Sequence, residues 1–138
     1  MVKCKYEGCN EKVFEDDCCI LHVELPEDEE SAEFERINKL KQEEIEKKLK
    51  KGDLNFGGVR LHELKFSKID FSSDVNFSKA KIRNDIEIRN CIFRNDLFFT
   101  HAEIDGNVKL NSINVHRNLV FESAVINGRF NFKSQQKS

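Results

Sequence analysis

From Leu54 to Phe132 the apolar residues arrive in pairs two positions apart, and each pair begins five or six residues after the last. The series runs Leu54/Phe56, Val59/Leu61, Leu64/Phe66, Ile69/Phe71, Val75/Phe77, Ala80/Ile82, Ile86/Ile88, Cys91/Phe93, Leu97/Phe99, Ala102/Ile104, Val108/Leu110, Ile113/Val115, Leu119/Phe121, Ala124/Ile126 and Phe130/Phe132. Neither a 3.6-residue helix nor an unbroken alternation has this rhythm. Side chains two apart on an extended segment point the same way, so the residues between pairs must turn a corner. Units this small cannot bury an apolar face alone and have to stack.

Side-chain size sets the number of segments per coil. In rows of four, one column reads Leu54/Phe56, Val75/Phe77, Leu97/Phe99, Leu119/Phe121, and the next ends in three successive Ala-x-Ile units. Like then stacks on like, which predicts four segments per coil. Beyond Phe71 every second interval grows to six, the added residues being Ser73, Asn84, Asn95, Gly106, Arg117 and Gly128. Gly and Asn tolerate a left-handed backbone, so the reading puts wide, left-handed corners at these positions.

This stretch resembles the pentapeptide-repeat proteins, from Leu54 to Phe132. The resemblance implies a mainly β chain whose fold is a right-handed quadrilateral β-helix. Nearly four coils are expected, a rod of about 18 Å at roughly 4.8 Å per coil. The division predicted is a finger-like segment over 1–25, an amphipathic connecting or capping helix over 26–53, the solenoid over 54–134 and a polar tail over 135–138.

Charge separates the halves. Residues 1–53 hold 10 Lys and Arg against 16 Asp and Glu, whereas residues 54–138 hold 13 against 9. No run is apolar enough to cross a bilayer, and Met1 to Cys9 lacks the apolar core of a signal peptide, so the expected location is cytoplasmic and no membrane partner is expected.

Cys4, Cys9, Cys18, Cys19 and His22 fall within nineteen residues. Four soft or borderline donors on two short arms suit tetrahedral zinc, and a reducing compartment argues against disulfides. Cys4 and Cys9 form one arm; Cys18 or Cys19 with His22 forms the other. Cys19 is preferred because Cys-x2-His is the tighter arm, and because the segment resembles small Cys-x4-Cys…aromatic-Cys-x2-His fingers with Cys18 at the aromatic position. The predicted ligands of a structural Zn2+ are therefore Cys4, Cys9, Cys19 and His22. The acids around this finger disfavour phosphate.

The segment from Pro26 to Gly52 has acids first and lysines last, the order a helix dipole prefers, and Gly52 as a stop. Phe34, Ile37, Leu40, Ile45 and Leu49 share a broad face that needs an apolar surface, and the N-terminal end of the solenoid is nearest. A coiled-coil dimer is the alternative, although these positions do not hold a heptad.

Residues between the inward pairs point outward, and most are polar. Ile92, Phe98, Val120 and Val125 are not, with Phe98 and Val120 expected on one face in adjacent coils as an exposed patch. Phe130 and Phe132 mark a second candidate interface at the C-terminal end. A protein-binding scaffold, or a homodimer, fits best. Nucleic-acid binding through Arg60, Lys81, Arg83, Arg89, Arg94 and Lys109 is the alternative. The family resemblance adds a third reading, a DNA mimic that inhibits topoisomerases, which the mixed charge of this rod disfavours. No enzyme is expected, since His62, His101 and His116 have no catalytic partner at a useful spacing and no small-molecule substrate site is apparent.

Overall fold

The computed structural model describes residues 3–134; the predicted tail over 135–138 lies outside the described residues. Parallel strands stack on four faces. One carries Arg60–Leu61, Lys81–Ile82, Glu103–Ile104 and Val125–Ile126. The next carries Leu64–Ser67, Ile86–Arg89, the first half of Val108–Val115, and Phe130–Ser134. The second half of Val108–Val115 turns onto a third face beside Asp70–Phe71 and Ile92–Phe93. Val75–Asn76, Leu97–Phe98 and Leu119–Val120 make the fourth. Two faces thus hold four strands and two hold three, a β-solenoid of about three turns. The predicted first segment, Leu54 to Phe56, adds only an isolated bridge between Asn55 and Asn76.

Inside, like does stack on like. The rings of Phe56, Phe77, Phe99 and Phe121 form one column with centroids 4.9, 5.3 and 4.9 Å apart and planes within 10° of parallel. Phe71 and Phe93 stack likewise at 4.7 Å. Each such contact contributes about 0.5–1.5 kcal/mol beyond the area it buries. Cys91 lies fully buried among them.

The corners differ from expectation. Positive φ falls at Gly58, Lys68, Lys79, Asn90, His101, Ser112 and Ser123, and at none of the six added positions. Seven of the eight tight corners carry a left-handed residue, which turns the chain in few bonds where a pair resumes after five; the corner from Leu61 to Leu64 does without one. At the wide corners the following residue builds a polar ladder. Asp74 Oδ1 accepts from the N–H of Asp96, and Asp96 Oδ1 from that of Asn118. Asp85 and Asn107 do the same for Asn107 and Arg129. Gly106 is required here by close approach, since a Cβ would sit 2.4 Å from the Asn84 carbonyl carbon.

Helix α1 spans Ala32–Lys51, starting six residues later than the predicted segment. The Ser31 hydroxyl accepts from the N–H of Phe34 and fixes that start, while Gly52 in the left-handed conformation closes the other end. Its buried face is Phe34, Ile37, Lys41 and Ile45, with Leu40 and Leu49 only half-buried. Ile45 and Leu49 join the solenoid core, and Lys48 lies 5.5 Å over the ring of Phe56. The helix therefore packs at the N-terminal end of the stack, as a cap. No helix among the described residues is long and apolar enough to cross a membrane.

Candidate metal centre

Three local turns bring the donors together. The chain folds back between Cys4 and Glu11, where the Cys4 N–H donates to the Glu11 carbonyl, with Gly8 at positive φ. Asp16 and Asp17, both at positive φ, return it to Cys18. The Cys19 carbonyl then accepts from the N–H groups of His22 and Val23, a single turn that carries the second arm.

Cys4, Cys9, Cys19 and His22 place their donor atoms within 4.8 Å of one another. Nδ1 of His22 is 3.3 Å from Cys4 Sγ and 3.2 Å from Cys19 Sγ, and the sulfurs of Cys9 and Cys19 are 3.9 Å apart. A tetrahedral ion with metal–sulfur bonds of about 2.3 Å needs donor separations of roughly 3.5–3.8 Å, so the set could hold a metal ion with small adjustments. Cys18 lies beside the cluster without joining it.

The histidine is held in the tautomer a metal needs. Its Nε2 lies 2.8 Å from the Gly57 carbonyl oxygen, which can only accept; Nε2 thus carries the proton and Nδ1 offers its lone pair to the sulfurs. Tyr6 stacks on the imidazole at 4.2 Å, and its ring fills the space where a Cβ on Gly58 would sit. Gly58 also has φ of 72°, so two constraints select glycine.

Backbone donors prepare the sulfurs. Burial opposes ionisation of Cys4, but chiefly the N–H groups of Cys19 and Tyr6 outweigh it and bring the thiol down to about 6. Burial, reinforced by the charge of Cys19, pushes Cys9 up to about 12, against the N–H of Glu11. Burial also raises Cys19, against the N–H groups of His22 and Leu21. One sulfur is poised as a thiolate, and a cation would drive the others to follow.

Lys41 supports the second arm from behind. It is fully buried, and its Nζ donates to the carbonyls of Ile20 (2.8 Å) and Val23 (2.5 Å), which flank the Cys19–His22 turn. Burial pushes its ammonium down to about 7. Sequence reasoning placed the apolar stripe but not this lysine; the signal was its position four residues from both Ile37 and Ile45. Arg60, whose N–H donates to the Leu21 carbonyl and whose guanidinium pairs with Glu24, and Arg83, which donates to the carbonyls of Leu25 and Pro26, tie the finger to the first coils.

The predicted interface residues lie elsewhere. Val120 and Phe98 are direct strand neighbours, as expected, but both are half-buried, so the patch is less open than the sequence suggests. Ile92, between Asp70 and Asn114, is half-buried too, whereas Val125 is 52% exposed. Phe130 and Phe132 are each 44% exposed. Of the histidines, His101 and His116 are exposed and His62 packs edge-on against Phe34 beside Asn84. Set against protein-family models, curated proteins and solved structures, the chain has no match in any of the three.

Proposed function

We propose that the chain is a non-enzymatic, cytoplasmic protein-binding scaffold of pentapeptide-repeat type, with a structural zinc ion at Cys4, Cys9, Cys19 and His22. The observation that carries this reading is the closed donor set at the junction of finger, helix and solenoid: four protein ligands leave no open position for a substrate. Three sulfurs and one imidazole suit zinc better than the hard cations that seek oxygen. The ion would fasten the cap onto a rod whose inward residues serve only its own core, leaving the outer faces and the Phe130/Phe132 end for partners.

The bases of the solenoid favour a protein partner over nucleic acid. Five of the six that would contact phosphate have acidic neighbours: Arg60 with Glu24, Lys81 with Glu103, Arg83 with Glu29, Arg89 with Glu87 and Arg94 with Asp70. A surface neutralised this way releases few counterions on binding a polyanion. The same mixing weakens a DNA-mimic role.

Native mass spectrometry with metal content read on the same sample tests the proposal. One zinc per chain and a dimer that dissociates with Phe98→Asp would place self-association on the face, and dissociation with Phe130→Asp would place it at the end. A metal-free monomer would overturn both the zinc and the self-association.

A further inference from the structure

Between the finger, the C-terminal half of α1 and the first coil runs an open cleft of about 660 Å³, lined by Tyr6, Val13, Phe14, Glu7, Glu11 and Glu44 among others. That volume is in the range of about 300–1,000 Å³ in which ligand-receiving clefts fall. Its apolar lining includes Tyr6, Val13 and Phe14, each half-buried. The carboxylates of Glu7 and Glu11 come from the finger and that of Glu44 from the helix. Among the described residues none of these three takes part in a salt bridge.

Of the lysines that line the cleft, Lys48 is already engaged with Asp53 at 2.8 Å, which leaves Lys12 alone against the three acids. The segment around it is acidic as a whole, with residues 1–53 carrying six more acids than bases.

We propose that this cleft docks an extended segment of a partner protein carrying Lys or Arg beside an apolar side chain. The apolar lining receives the latter, and the three carboxylates, which come from two elements, pair with the former. A polyanion is repelled, and a simple polycation leaves that lining unused. The inference rests on the protein-binding reading and gives that function a second, chemically distinct surface, at the opposite end of the rod from Phe130.

The test is fluorescence anisotropy on the zinc-loaded full chain with three labelled octapeptides: one alternating Lys or Arg with Leu or Phe, one with Glu in place of every base, and one with Gly in place of every apolar residue. The basic apolar peptide is expected to bind at least about tenfold more tightly than either of the others, and about tenfold less tightly to Glu11→Lys/Glu44→Lys, with Glu122→Lys unchanged. Zinc content and circular dichroism check the fold of the variants. Hydrogen exchange on the unmutated chain gives a second readout, with protection expected at 6–14 and 44–48 and not at 97–126. Equal affinity for the basic and acidic peptides, full affinity of the Gly peptide, or protection confined to the solenoid faces would each overturn the cleft. A failed cleft leaves the Phe98→Asp and Phe130→Asp masses as they are, so it is separable from failure of the scaffold.

Discussion

Lys41 shows how one residue can belong to two structures at once. Its stem completes the apolar stripe of α1, and its amine supplies the donors that the carbonyls of Ile20 and Val23 lack in their buried turn. Lys41→Met keeps the stem and orphans both carbonyls, a loss of about 1–3 kcal/mol for each, partly offset by removing a buried charge. The sign of the pH dependence follows from the lysine held at about 7 in the fold and near 10.4 in the unfolded chain. Between these values the unfolded chain binds more protons, so the charged-state penalty present below about pH 7 is relieved as pH rises. Urea midpoints of zinc-loaded protein should show the advantage of the native chain over Lys41→Met widening from pH 7 to pH 10. A gap that narrows would refute this placement of the charge. Nothing in a periodic pattern announces such a residue, because the pattern reports stems and says nothing of their polar tips.

At the scale of the coil, the apolar pairs made the four-sided stack legible, since every paired position is an apolar side chain and the recurrence of side-chain size every fourth pair counts the faces. Corner chemistry was harder to read. Gly106 and Gly128 look like left-handed residues, yet Lys68, Lys79 and His101 hold that conformation, and glycine at 106 answers to the Asn84 backbone beneath it. Composition identifies a turn residue but not which of two constraints chose it. Substitution separates the two. Gly106→Ala should cost about 1–3 kcal/mol from overlap although its φ is ordinary, while His101→Gly, which relieves a left-handed backbone and adds unfolded-chain freedom, should change stability by less than about 1 kcal/mol. Thermal midpoints of the two variants read this directly, and a harmless Gly106→Ala would show that the corners can separate.

For the whole molecule, one core runs from Cys4, Cys19 and Leu21 through Ile45 into the solenoid as far as Ile113. The cluster of Cys4, Cys9, Cys19 and His22 therefore sits within a single body. Cys4, Cys9 and His22 were legible from spacing, because ligand arms are local, while the choice of Cys19 over Cys18 drew also on a resemblance to small fingers; the Gly57 carbonyl, 35 residues away, was not legible. Chelation of the proposed zinc is expected to release the finger first. Amide exchange should rise over residues 4–23 and in the Lys41 turn, then at Phe56 to Leu61, while Phe77 to Ile104 stay protected by their own stack. Uniform loss of protection along the chain would mean that the cap holds the solenoid together.

Because the cap grips only the first coils, through Gly57, Gly58, Arg60 and Arg83, its position is indifferent to how many coils follow. The register shift between stacked strands is 22 residues over most of the rod, as from Leu64 to Ile86 to Val108 to Phe130. The protein is thus a ruler with a fixed zero. Adding or removing one 22-residue module would move the far end by about 4.8 Å along the axis and return every face to its original bearing, whereas 11 residues would carry each face to the opposite side. Distance and direction between the two ends can be set separately, the first by counting coils and the second by the remainder.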